Sequence, residues 1–192
     1  MFESLPQIDA PFGLIVAAFV GFYALVWLLR RLFSGPRKPR DMRDPKVQLD
    51  AVKRVGFEPV ALMNKGEYRV LRQLDAIVAR MGGEFRVMAQ PNLGEFLRPD
   101  PDAPKVRRIE GHGATNSKRV DFLIIDSAGY GVLAVEVQGS GHYLGSTAHL
   151  RDAVKREALR KAGIALMEIT PGMTPGEIAA EATSKLQAYR AA

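Results

Sequence analysis

The 192-residue chain contains no cysteine. Without thiols it has neither a disulfide framework nor a cysteine-ligated metal site, and it has no cysteine nucleophile. Histidine is also scarce, with three residues in the whole chain. The sequence shows no zinc-ligand spacing, phosphate-binding glycine loop or Ser-His-Asp pattern. The absence of thiols suits a reducing compartment and excludes the cysteine-based chemistries.

Charged side chains are missing from residues 10–29. This uncharged run of 20 residues is long enough as a helix to span the hydrocarbon core of a bilayer, which is roughly 30 Å thick. Trp27 lies near its end, where indole rings favour the membrane interface. A cleaved signal peptide is the alternative, but such a peptide begins with basic residues, whereas Glu3 and Asp9 precede this run. We predict a transmembrane anchor over residues 10–33.

Basic residues are concentrated directly after the anchor. Residues 1–29 contain no lysine or arginine, and residues 30–46 contain seven. The positive-inside rule therefore predicts a single-pass protein with its N-terminus outside and its C-terminal domain in the cytoplasm. Residues 34–46, with three prolines, are predicted to form an extended basic linker. Its charge acts either as the topology signal alone or also as a contact for anionic headgroups.

The net charge is unevenly distributed. Of the total of +6, residues 1–29 contribute −2 and residues 30–46 contribute +5, so that residues 47–192 carry only +3. A balance this mild gives weak support to nucleic-acid binding by charge alone.

Periodicity and capping patterns predict one soluble α/β domain of the α+β type in residues 47–192, a small mixed sheet flanked by helices. The predicted helices cover residues 45–54, 65–81, 148–162 and 175–190, and the predicted strands cover residues 84–90, 118–126, 131–138 and 164–170. The residues of the third helix that are predicted to face the sheet are Leu150, Val154, Ala158, Leu159 and Ala162. Residues 91–117 are rich in Pro, Gly, Asp and Asn and are predicted to form a long loop.

Two carboxylates interrupt the apolar strands of this domain, Asp121 and Glu136. A buried carboxylate is costly unless it is paired or holds a metal. Gln138 shares a strand face with Glu136, because side chains alternate along a strand. Two carboxylates and a main-chain carbonyl make a hard oxygen site suited to Mg²⁺. The alternative is that both are strand-end residues held in salt bridges.

The surrounding pattern resembles a known superfamily. From residue 120 to residue 169 the chain reads V-D-F-L-I-I-D, L-A-V-E-V-Q-G-S-G-H-Y and R-D-A-V-K-R-E-A-L-R-K-A-G-I-A-L-M-E-I, with short intervals between these runs. This order resembles the PD-(D/E)XK (restriction-endonuclease-like) superfamily, in the branch near very-short-patch-repair endonucleases that includes domains of unknown function. The likeness covers roughly residues 62–170. It implies a restriction-endonuclease-like fold and Mg²⁺-dependent hydrolysis of phosphodiester bonds in nucleic acid.

The resemblance also implies roles for individual residues. Asp121 and Glu136 would be the metal ligands. Glu67, in the predicted helix over residues 65–81, matches an acidic residue often found there and also completes a predicted capping box. Gln138 stands in place of the usual lysine. A neutral amide can only hydrogen-bond, whereas lysine offsets the negative charge that develops in the transition state.

Other side chains are candidates for the missing functions. Lys155 and Arg151, one turn apart on the third helix, are candidates for the missing cation. The alternative is a solvated helix face with an Asp152–Arg156 pair. His142 is a candidate general acid or base or metal ligand, or else a surface loop residue.

The sequence thus leads to a membrane-anchored nuclease-like domain with Mg²⁺ as its cofactor and nucleic acid as its partner. Two alternatives stay open: a catalytically inactive module of the same fold that binds nucleic acid or protein at the membrane, and a scaffold that uses the fold only structurally. The sequence does not specify an oligomeric state.

Overall fold

The computed structural model describes residues 10–33, 41–139 and 148–191. Contacts divide the chain into two units, which separate between Pro59 and Val60. The second unit contains every strand of the described residues.

The first unit contains two described helices. Helix α1, Ala10–Phe33, is long and apolar enough to cross a membrane, and none of its stretch Leu14–Arg31 is buried. Helix α2, Pro45–Val52, begins at Asp44, whose carboxylate accepts a hydrogen bond from the Lys46 amide at 2.9 Å. Helix α2 buries none of its residues.

The second unit is a four-stranded mixed sheet flanked by helices, as predicted. Its elements in chain order are α3 (Lys65–Arg80), β1 (Arg86–Ala89), α4 (Leu93–Phe96), α5 (Lys105–Thr115), β2 (Phe122–Ile125), β3 (Gly131–Val137), α6 (Ala148–Lys161), β4 (Ala165–Ile169) and α7 (Pro175–Ala191). The strand order is β1-β2-β3-β4, with antiparallel pairing up to β3 and parallel pairing between β3 and β4. Helix α6 makes the crossover that a parallel pair requires.

Capping residues fix the ends of the longer helices. Asn64 accepts hydrogen bonds from the first turn of α3, and Glu67 reaches back to the Asn64 amide at 2.9 Å, which completes the predicted capping box. Thr174 and Glu177 form the same arrangement at the start of α7. Gly163 follows α6 with φ +71°, a conformation that glycine adopts without strain.

Helices cover both faces of the sheet. On one face, α3 and α7 pack on Phe122, Ile124 and Val135. On the other face, Leu159 of α6 and Leu93 of α4 pack on Leu123 and Ala134. This double coverage explains the near-continuous apolar character of β2 and β3. The face covered by α6 is called the α6 face below.

The prediction of one long loop over residues 91–117 is wrong, because α4 and α5 lie within it. Helix α5 has no side-chain cap and contains Gly111 and Gly113, so that it lacks the usual signals. Local bonds stabilise it, including an Arg107–Glu110 ion pair of 3.1 Å and a Thr115 hydroxyl that donates to the Gly111 carbonyl.

The predicted orientation of α6 is only partly correct. Leu159 and Ala158 pack in the core as expected, but Leu150 is 57% exposed, and Val154 and Ala162 are exposed as well. The reason is that part of the sheet-facing side of α6 is polar. Lys155 pairs there with Glu136 of β3, and Asp152 lies 3.7 Å from the Lys155 ammonium group.

Candidate functional site

Asp121, just before the start of β2, and Glu136, near the end of β3, occupy opposed positions of the strand pair. The register pairs Phe122 with Val135, so that the next opposed positions are Asp121 and Glu136. The Val137 amide donates a hydrogen bond of 2.7 Å to the Asp121 carboxylate. Asp121 lies at a bend in the chain, and its side chain there accepts a bond that a backbone carbonyl accepts in a regular ladder. The two carboxylates are therefore neighbours across the strand pair.

A third carboxylate extends this row. Glu136 and Glu168 are partners in the parallel register of β3 with β4. Ala134 and Leu166 belong to the core on the α6 face, and alternation places Glu136 and Glu168 on that same face. Sequence reasoning missed Glu168, because a parallel register between strands separated by a helix leaves no local signal.

Helix α6 supplies cations to this row. The Lys155 Nζ atom lies 2.6 Å from Glu136 Oε1 and 3.7 Å from an Asp152 carboxylate oxygen. The side chains of Lys155 and Glu136 are each only 18% exposed. Arg156 donates two hydrogen bonds, of 2.6 and 3.0 Å, to one carboxylate oxygen of Glu168. The alternative of an Asp152–Arg156 pair is therefore wrong, since Arg156 turns to the sheet and the close contact of Asp152 is with Lys155.

The site raises the pKa of the Glu136 carboxyl group above its ordinary value. Burial is the main cause, and the negative charges of Asp121 and Asp152 add to it. Lys155 opposes these effects through its hydrogen bond and its positive charge. The ionised form of Glu136 is thus held in an environment that disfavours it, with one ammonium group as partial compensation.

The other predicted site residues are distributed more widely. Gln138 follows β3 and is half-buried, and its backbone amide donates to the Ile169 carbonyl at 2.8 Å. Arg151 is exposed on α6.

Glu67 acts as a capping residue of α3, which packs on the opposite face of the sheet. The structure leaves the catalytic role of Glu67 as a prediction, and His142 lies outside the described residues.

The donor atoms of the site suit a hard cation. Asp121 and Glu136 offer carboxylate oxygens from opposed positions, and oxygen is the ligand that Mg²⁺ prefers. Their mutual repulsion, part of the raised pKa of Glu136, is what a bound cation relieves. Within residues 10–33, 41–139 and 148–191, no group of three or more acidic or histidine side chains is arranged around one ion position.

Residues 60–184 match the family described as "Protein of unknown function (DUF2726)". An uncharacterized protein of Haemophilus influenzae is 40% identical over 148 residues, which are 77% of this chain and 74% of that protein. An uncharacterized protein of Sinorhizobium fredii is 39% identical over 119 residues, which are 62% of this chain and 80% of that protein. No solved structure matches the chain significantly. Because the family match includes the whole sheet and α6, the chain belongs to the DUF2726 family.

Proposed function

We propose that the protein is a membrane-anchored, metal-dependent nuclease whose site lies between the α6 face of the sheet and helix α6. The observation that carries this proposal is the contact of 2.6 Å between Lys155 and Glu136. This contact places a cation at Glu136, the second carboxylate. The strand itself supplies no such cation, because position 138 is glutamine and not lysine. The restriction-endonuclease-like resemblance of the sequence supports the same assignment.

Asp121 and Glu136 would hold Mg²⁺, which when bound polarises a phosphate oxygen and lowers the pKa of a coordinated water. The chain's own residues have separate tasks. Lys155 offsets negative charge that builds up on the phosphate. The Arg156–Glu168 pair ties α6 to β4 and so positions Lys155 above β3. Asp152, at 3.7 Å, helps to hold the Lys155 ammonium group in place.

Helix α1 would anchor this domain in a membrane, with the domain in the cytoplasm. Support for the anchor is the length and apolar character of α1, and support for the orientation is the basic cluster of residues 30–46. The substrate would then be nucleic acid that reaches the inner membrane surface.

Cleavage assays on the full chain in detergent test the proposal. DNA and RNA, each single- and double-stranded, would be incubated with and without Mg²⁺. We expect Mg²⁺-dependent cleavage that Glu136→Gln abolishes, and Gln138→Lys should increase it by restoring a strand lysine. Glu157→Gln is the matched control, because Glu157 is an exposed glutamate of α6 that pairs with Arg160. Absence of cleavage from every substrate, in the wild type and in Gln138→Lys, would refute the nuclease.

One observation favours a second function, an inactive binding module. Lys155 already compensates part of the charge that a metal would neutralise at Glu136. A folded protein that binds nucleic acid in a salt-dependent manner, but neither cleaves it nor responds to Mg²⁺, would establish this function.

A further inference from the structure

Helix α5 carries its apolar side chains on the side that points away from the domain. It buries none of its residues, and Val106 and Ile109 are 66% and 64% exposed. Its partly buried positions are Gly111, next to Pro99, and Thr115. At 3.6 residues per turn, Val106 and Ile109 lie opposite these two positions. An amphipathic helix of a soluble domain normally has the reverse orientation.

Basic side chains line one flank of this apolar ridge, which consists of Val106 and Ile109. Lys105, Arg108 and His112 follow each other at helical spacing and are all exposed. Arg108 also donates to the Pro101 carbonyl at 3.2 Å, which holds it beside the helix. The ridge is thus an exposed apolar strip with cations along one side, while Glu110, paired with Arg107, lies on the other side.

We propose that α5 docks on an anionic bilayer surface, with Val106 and Ile109 in the boundary between headgroups and acyl chains. Lys105 and Arg108 would contact lipid phosphates. This is the arrangement of helices that lie in a membrane interface, where apolar side chains enter the lipid and basic ones meet the headgroups. A nucleic-acid backbone would instead favour cations at the outermost positions, which apolar side chains occupy here.

The proposal rests on one part of the proposed function, the membrane anchor, and not on hydrolysis. Helix α1 would hold the domain close to a bilayer, so that a weak surface contact becomes effective at high local concentration. Helix α5 packs against α6, which carries Lys155. Docking would therefore give the candidate site a defined orientation to the membrane.

The absence of cysteine allows a direct test with the full chain in vesicles. Ile109→Cys and, as a control, Tyr130→Cys, at a position 73% exposed in the β2–β3 turn, would each carry an environment-sensitive fluorophore. The vesicles would consist of phosphatidylcholine alone or of an equimolar mixture with phosphatidylglycerol. We expect a blue shift of the label at 109 in the anionic vesicles and its quenching by nitroxide-labelled lipid. The label at 130 should show neither.

Charge reversal on the flank tests the cation contribution. Lys105→Glu with Arg108→Glu should abolish the shift, whereas Arg160→Glu with Lys161→Glu, a matched pair on the exposed side of α6, should leave it unchanged. The proposal is overturned if labels 109 and 130 respond alike, or if the chain does not float with the vesicles. A shift caused by nucleic acid alone, or by protein concentration without lipid, also overturns it. Failure of the proposed nuclease is distinguishable from failure of docking. Cleavage is assayed in detergent without vesicles, and docking is also measured with the Glu136→Gln variant, which should not cleave.

Discussion

Glu136 is the residue of the candidate site on which burial, a like charge and a cation act together. Its carboxylate is mostly buried, faces Asp121 across two strands and binds Lys155 at 2.6 Å. A partly buried charge of this kind depends on its partner more than a surface charge does, because little water is available to replace that partner. A divalent cation bound by Asp121 and Glu136 would relieve the repulsion between the two carboxylates, which contributes to the raised pKa of Glu136.

Lys155→Met should destabilise the folded protein by leaving Glu136 without its cation. We expect a loss of about 1.5–3 kcal/mol in the free energy of unfolding, the usual contribution of a hydrogen bond to a charged group. Denaturant titration of the full chain in detergent at neutral pH measures it. Lys161→Met is the control, because the Lys161 side chain is 71% exposed. Equal stability of the two variants would show that the Lys155–Glu136 contact contributes nothing.

Glu136 should also give the protein a distinctive pH dependence. Its folded-state pKa lies above the ordinary value of about 4.5, so the folded protein takes up this proton at a higher pH than the unfolded chain. The free energy of unfolding of the wild type, relative to Glu136→Gln, should therefore rise as the pH falls from the folded-state pKa toward the ordinary value. Thermal melts across that range measure it. Mg²⁺ should shift the rise to lower pH, and a difference that falls with decreasing pH would contradict the prediction.

At the scale of elements, helix α6 has two roles, which its apolar residues alone do not predict. Its sheet-facing side carries the buried Leu159 as well as Asp152 and Lys155. The helix therefore covers the core and also places charged side chains beside β3 and β4. Helix α3 on the opposite face is more conventional, with four buried apolar residues behind a complete capping box. Helix α3 therefore mainly stabilises the sheet, whereas helix α6 also contributes side chains to the candidate site.

The capping box of α3 allows the two roles of Glu67 to be separated. Asn64→Ala should cost about 1 kcal/mol of stability, the usual effect of losing an N-cap side chain. Glu67→Gln should cost less, because glutamine also serves in capping boxes, and it should leave cleavage unchanged. Thermal unfolding and cleavage assays would be run on both variants, with Thr170→Ala, an exposed position before α7, as control. Loss of cleavage in Glu67→Gln at unchanged stability would give Glu67 the catalytic role.

At the scale of the whole molecule, an apolar helix and a mixed α/β unit are joined in one chain. We expect the protein to stay with membranes after washes at high salt and at alkaline pH, because a spanning helix is held by apolar burial rather than by charge. A reporter fused after Ala192 should be active in the cytoplasm. Release by the alkaline wash would contradict the anchor, and an active reporter on the outer side would contradict the orientation.

The sequence predicts the features that depend on residues close together in the chain, namely the helices and strands. The predicted helices over residues 65–81, 148–162 and 175–190 agree with α3, α6 and α7 to within one residue, and the apolar runs locate the four described strands. The alignment of Glu168 with Glu136 depends on parallel pairing across a helix, which local patterns do not encode. Tertiary contacts likewise decide that Lys155 faces the sheet and Leu150 faces solvent, the reverse of what hydrophobicity favours.

The Asp121 carboxylate accepts a hydrogen bond from the Val137 amide, so the side chain that is the proposed metal ligand also joins the two strands. An asparagine at position 121 could accept the same bond without binding a cation strongly. A family member that binds no metal would therefore still need a hydrogen-bond acceptor at this position. Glu136 instead binds a lysine side chain, and an apolar pair could replace both partners without disturbing the ladder. Under the proposed function, the residue at 136 should therefore distinguish metal-binding relatives from the others better than the residue at 121.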